Sequence, residues 1–182
     1  MRSGKISVLA ISAALMAGEP DVGNGSVRAS GAAPDSSVLV LAEPAEPGTR
    51  LVVAGRVVRP DGRPAGHERI GVYHADAKGE YGVHPTRRTF PPARDARLSG
   101  LVVTDPQGRF EIRTIRPGHY PGGGTPQHIH FIIGRANEEL LFADDPLLAN
   151  RARTGEAEGT SVRPVTTDAK GVQHVSIELK TR

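Results

Sequence analysis

Cysteine and tryptophan are both absent from this 182-residue chain, methionine occurs twice, and aromatic residues make up only 4% of it. Without cysteine there is neither a disulfide nor a thiolate metal site, and thiols carry no record of redox compartment. With so few rings, the core must be built from Val, Ile, Leu and Ala, and the branched members of that set pack well on a pleated surface. No apolar run reaches the roughly 18 residues that a bilayer span requires. A strong charge imbalance is missing too: 23 Lys and Arg face 20 Asp and Glu, for a formal net charge of +3. Setting aside Arg2 and Lys5 as part of a leader leaves 21 bases against the 20 acids. A balance of that kind gives no electrostatic reason to bind nucleic acid or an anionic membrane.

Glycine (22) and proline (15) are plentiful, about a fifth of the chain, which favours turns over long helices. The length fits one domain plus a tail. Arg2 and Lys5 precede the apolar run Ile6 to Met16, followed by Ala17-Gly18-Glu19-Pro20. That pattern predicts a signal peptide over residues 1–18 and a secreted or periplasmic protein, with a cytoplasmic one as the alternative. Leu15 departs from the small-x-small cleavage pattern after Ala17. Residues 19–49 are rich in Gly, Ala, Ser, Pro and Glu and are expected to be a flexible linker, with order beginning near Arg50.

From there, short apolar segments alternate with turn pairs. Leu51 to Val58, Ile70 to His74, Leu101 to Thr104, Phe110 to Arg113, Ile129 to Ile133, Leu140 to Phe142 and Val172 to Leu179 each predict a strand. Pro60-Asp61-Gly62, Lys78-Gly79 and Asp105-Pro106-Gln107-Gly108 punctuate them. The expected fold is all-β, a single β-sandwich domain over residues 50–182, with at most a short helical turn around Pro146 to Arg153. No internal repeat is visible.

His128-Ile129-His130 is the first group with chemistry in it. On a strand the side-chain period is two, so both imidazoles project from one face while Ile129 points away. Two neutral imidazoles so close are a ready pair of metal ligands, although paired surface histidines are the commoner reason for such a pattern. Two of the three tyrosines also stand out. Tyr81 follows the turn in Asp76-Ala77-Lys78-Gly79-Glu80, and Tyr120 lies in Arg116-Pro117-Gly118-His119-Tyr120-Pro121, shortly before the histidines. Each could simply pack its ring under a loop. Two phenolates with two imidazoles would instead make a hard, anionic donor set suited to a trivalent ion.

These segments together resemble the intradiol ring-cleavage dioxygenases, in a short, secreted form similar to the protocatechuate 3,4-dioxygenase branch. Val72 to Tyr81 is similar to the family's W-Q-A-D-A-x-G-x-Y segment, and Thr104 to Pro121 to its T-D-x-x-G-x-F-x-F-R-T-I-x-P-G-x-Y-P core. His128-Ile129-His130-Phe131 resembles its H-I-H-F, and Phe142-Ala143-Asp144-Asp145-Pro146 its F-x-G-D-P. The resemblance runs in order from about Gly55 to Pro146.

The resemblance implies a transthyretin (prealbumin)-like Greek-key sandwich. It implies Fe(III) as cofactor, held by Tyr81, Tyr120, His128 and His130, with Tyr120 and His130 axial. It implies Tyr120 as the catalytic residue, displaced by substrate and accepting a proton. The implied reaction opens a catechol-type ring between its two hydroxylated carbons with O2, giving a muconate-type diacid. Catechol and O2 are then the partners, and the oligomeric state is left open. The long helical N-terminal segment of catechol 1,2-dioxygenase-type members has no counterpart, which turns the expectation away from that subgroup.

Two departures bear on substrate binding. The family carries an arginine three residues before H-x-H, where this chain has Thr125, in a shorter loop. Glu139 stands where the family often has a glutamine near the oxygen site. Arg116 or Arg135 is a candidate to stand in for the arginine. Two other readings stay open: a non-catalytic transthyretin-like or carboxypeptidase-regulatory-like accessory sandwich, and an iron-binding relative without turnover.

Overall fold

The computed structural model of the chain describes residues 36–82, 96–149 and 159–182. The signal peptide expected over residues 1–18 lies outside these, as do residues 19–35 of the expected linker and 150–153 of the expected helical turn. Among the described residues no helix is long and apolar enough to cross a membrane.

Among the described residues, ten strands make two five-stranded sheets. One contains β1 (Val38–Val40), β5 (Arg109–Ile115), β2 (Arg50–Val58), β10 (Gln173–Lys180) and β9 (Thr166–Thr167), in that spatial order. The other contains β4 (Leu98–Val103), β3 (Arg69–His74), β6 (His128–Ile133), β7 (Ala136–Phe142) and β8 (Thr160–Arg163). The pairing is mixed: β1 with β5, β2 with β10 and β7 with β8 are parallel, and the remaining pairs antiparallel.

Alternation puts one apolar row of the longer strands between the sheets. Leu51, Val53, Ile112, Val175 and Ile177 from the first sheet meet Val72, Ile129, Phe131, Leu140 and Phe142 from the second in one cluster. Each such side chain contributes about 1.5–3 kcal/mol when fully buried, so the all-β expectation rests on the same residues that stabilise the fold. Gly55 faces Phe110 across the β2–β5 pair, and a Cβ at Gly55 would stand 2.0 Å from the Phe110 ring. The small residue makes room for one of the few large ones.

One boundary differs from expectation. β1 lies inside the stretch read as linker: it pairs with β5, and Leu39 joins the core at 5% exposure. Arg50 then fixes the following residues by donating to the carbonyls of Glu43, Pro44 and Glu46. Local composition does not reveal these contacts, because every partner of β1 is distant in sequence.

His74, at the end of β3, ties the sheets together. Its Nδ1–H donates to the Ala75 carbonyl and its Nε2 accepts from the Thr114 hydroxyl on β5, both at 2.7 Å. Burial pushes this imidazole down to about 4 from its ordinary 6.5; the Ala75 carbonyl and Glu46 oppose the shift, while His128 and Arg97 add to it. The unfolded chain takes up this proton near pH 6.5, the folded one only near 4. The stability this group contributes is therefore complete above pH 6.5 and is lost as pH falls towards 4, on the order of 3 kcal/mol in all. Urea midpoints measured between pH 7 and 4 should show that decline, and His74→Gln should flatten it. An unchanged decline in the variant would contradict the assignment.

Candidate metal centre

Two turns bring the tyrosines together. After β3, the Asp76 carboxylate accepts from the backbone N–H groups of Lys78 (2.8 Å) and Glu80 (3.1 Å), closing a tight turn just before Tyr81. The Asp76 carbonyl accepts from Gly118 N at 2.7 Å, so this turn is bonded to the segment that leads into Tyr120. Gly79, at φ +81°, lies so close that a Cβ would stand 1.8 Å from the His119 carbonyl oxygen, and one on Gly118 would stand 2.3 Å from that of Ala77. The glycines of the two motifs are needed because the two backbones touch.

The histidines come from the start of β6. Ile129 and Phe131 are in the core at 0% exposure, so His128 and His130 (8% each) face out of the sandwich towards the two tyrosine loops. The four side chains form a chain of contacts. His128 Nε2 is 2.7 Å from the Tyr120 hydroxyl, the Tyr120 and Tyr81 hydroxyls are hydrogen-bonded to each other, and Tyr81 is 3.3 Å from His130 Nε2. His128 Nδ1 donates to the Pro126 carbonyl at 2.7 Å. A carbonyl only accepts, so the Nδ1 position carries the proton and the Nε2 lone pair is aimed at the tyrosines. The Tyr73 ring stacks on His130, centroids 4.4 Å apart and 10° from parallel. All four residues expected as ligands are thus in one place, and two phenol oxygens with two imidazole nitrogens suit a hard trivalent ion.

Glu139, expected near the substrate, stands beside His130. It pairs with His130 across the β6–β7 ladder, and its carboxylate stands 3.6 Å from His130 Nδ1. His128, His130 and Glu139 offer nitrogen and oxygen atoms within 4.8 Å of one another, which would suit a two-histidine, one-carboxylate site. However, His130 presents Nε2 to Tyr81 and Nδ1 to Glu139, and these are different edges of one ring. The carboxylate therefore lies at the edge of the imidazole that faces away from the tyrosines.

Of the two candidate stand-ins for the family's arginine, Arg116 donates to Gln127 (2.7 Å) and both oxygens of Asp144 (2.8 and 2.9 Å), and it lies 4.6 Å above the Phe142 ring. Arg135 lies in the two-residue turn between β6 and β7, past the strand end and on the order of 15 Å from His130. Thr125 is half-buried three residues before His128. A depression on the outer face of the other sheet, lined by Ala54, Arg56, Arg109 and Ser176, shares no residue with the cluster.

The family model described as dioxygenase matches residues 26–154, well over half of the chain. The chain belongs to the intradiol ring-cleavage dioxygenase family. It is 37% identical over 114 residues to the protocatechuate 3,4-dioxygenase beta chain of Burkholderia cepacia, covering 56% of this chain and 48% of that one. Over 160 residues it is 28% identical to catechol 1,2-dioxygenase 1 of Acinetobacter lwoffii, covering 76% and 50%. The chain spans about half the length of these curated relatives. Among solved structures, the dioxygenase domain of a dioxygenase carbohydrate-binding protein fusion from Streptomyces sp. SirexAA-E superposes with a TM-score of 0.60 at 25% identity, covering 82% of this chain and 90% of that one. The intradiol dioxygenase family is an iron-using one.

Proposed function

We propose that this chain is a non-haem Fe(III) intradiol dioxygenase, in which Tyr81, Tyr120, His128 and His130 hold the metal. It opens a catechol-type ring between its two hydroxylated carbons, inserting both atoms of O2 to give a muconate-type diacid. The observation that carries this reading is the convergence of two phenol oxygens and two imidazole Nε2 atoms from three separate segments.

When bound, Fe(III) supplies Lewis acidity and the electron acceptance that makes a catecholate reactive towards O2. The protein's own residues divide the remaining work. His128 has its ring orientation fixed by the Pro126 carbonyl, and His130 by the Tyr73 stack. Tyr81 sits on a turn closed by Asp76 and is the fixed tyrosine. Tyr120 begins the glycine loop and is the movable one; its phenolate oxygen takes a proton from an incoming catechol. Gly122, Gly123 and Gly124 are exposed, and among the described residues nothing lies within 4 Å of where a Cβ would stand. The mouth beside Tyr120 is therefore open, and ring substituents are accepted with weak discrimination.

The visible spectrum tests the donor set. Protein loaded with ferric iron should show a tyrosinate charge-transfer band that shifts when a catechol is added, and Tyr81→Phe should weaken it. A colourless, iron-free protein after reconstitution under air would favour an accessory sandwich.

A further inference from the structure

We propose that Asp145 is a positioning residue, a single buried carboxylate that holds the two ends of the loop carrying Tyr120 and leading into His128. This rests on the reading of those residues as metal ligands. The Asp145 side chain is fully buried, at 0% exposure. Its two oxygens lie 3.1 and 3.0 Å from His119 Nε2, Oδ2 accepts from Gln127 N at 2.7 Å, and Oδ1 accepts from Leu147 N at 2.7 Å. His119 immediately precedes Tyr120, and Gln127 immediately precedes His128. One carboxylate thus touches the chain next to each of two metal-facing side chains.

Between those contacts the loop has little else to define it. Gly122, Gly123 and Gly124 lie at φ +96°, +75° and +88° with no neighbour at their Cβ positions, and Gly123 N bonds back to the Tyr120 carbonyl at 3.0 Å. A triple-glycine run with open space around it does not fix the distance between its ends. Asp145 adds a direct tie between them, beside the Gly118 bond to the Asp76 carbonyl at one end and the β6 pairing at the other, and its own position is set by the second sheet. It lies in the turn three residues past the end of β7, its N–H bonds to the Phe142 carbonyl at 3.0 Å, and β7 pairs with β6 in the register that sets His128 opposite Leu141. A buried carboxylate needs its acceptor sites filled, so the loop ends are held against it. The Arg116 bond to the Gln127 side chain reinforces one end only.

The experiment compares His119→Leu, which removes one arm of the clamp, with His119→Gln, which keeps an N–H donor at similar reach. Four quantities are read on the full chain: amide hydrogen exchange of the iron-free protein at Tyr120 and Gln127, iron-free Tm, ferric ion affinity against a competing chelator, and visible absorbance per bound iron. In His119→Leu, exchange at those two amides should accelerate. Ferric affinity should fall about tenfold, the lower end of what supporting residues around a metal typically cost. Absorbance per iron should fall as well, because Tyr120 is no longer held. His119→Gln should restore all three, and the two variants should share the same iron-free Tm. Unchanged exchange and unchanged iron affinity in His119→Leu would overturn the proposal. Equal impairment of both variants with a matching fall in Tm would overturn it too, reducing Asp145 to a stabilising group. If the unaltered protein takes up no ferric iron, the metal reading fails, and the exchange data alone then decide whether the clamp exists.

Discussion

Alanine at His128 should weaken the hold on ferric iron by about 10²–10³-fold or more while the sandwich stays folded. The magnitude follows from the place of the side chain, since outer-shell changes alone typically cost about 10–100-fold and His128 aims its Nε2 directly into the donor cluster. Survival of the fold follows from the alternation of β6. Ile129 and Phe131 fill the core at 0% exposure, whereas His128 projects from the opposite face, so truncating it opens no cavity between the sheets. Iron per chain after exhaustive dialysis, with the thermal transition of the same sample, checks both halves. Full iron retention in the variant would remove His128 from the site.

Thr125→Arg should raise turnover on simple catechols by about 10²–10³, the scale on which one preorganised donor to a developing charge acts. The chain should be slow without it. Thr125 stands three residues before His128, where the resemblance places an arginine. Arg116 is occupied by Asp144, Gln127 and the Phe142 face, and Arg135 lies at the far end of β6. The neighbouring glycines leave space for a longer side chain to swing towards the ring. Oxygen uptake at saturating catechol measures the gain; an unchanged rate with an unchanged iron content would mean that the short loop aims the guanidinium elsewhere.

Much of this architecture was legible because one period, the alternation of a strand, carries it. The apolar alternation of Leu51 to Val58, Phe110 to Arg113 and Ile129 to Ile133 located three inner strands to within a residue or two of their observed bounds. The same period placed His128 and His130 on one face. β1, β8 and β9 escaped because they have two to four residues each, too few to show a period; β1 and β8 also exist only through distant pairing, with β5 and β7. At the site, the four donors were legible as motifs, but the reason for their convergence was not. It lies in two glycine backbones pressed together, Gly79 against His119 and Gly118 against Ala77. Nothing in the sequence spacing links Asp145 to His119 and Gln127, or turns Glu139 towards His130 Nδ1, since both depend on the β6–β7 register and on turns that close in three dimensions.

The most direct measurement of the central claim is identification of the product formed from catechol and O2 by iron-loaded protein. The account predicts one O2 consumed per ring and a muconate-type diacid, cut between the two hydroxylated carbons with both oxygen atoms incorporated. A product cut beside the diol would contradict it, and so would the absence of oxygen uptake by fully iron-loaded protein across a panel of catechols.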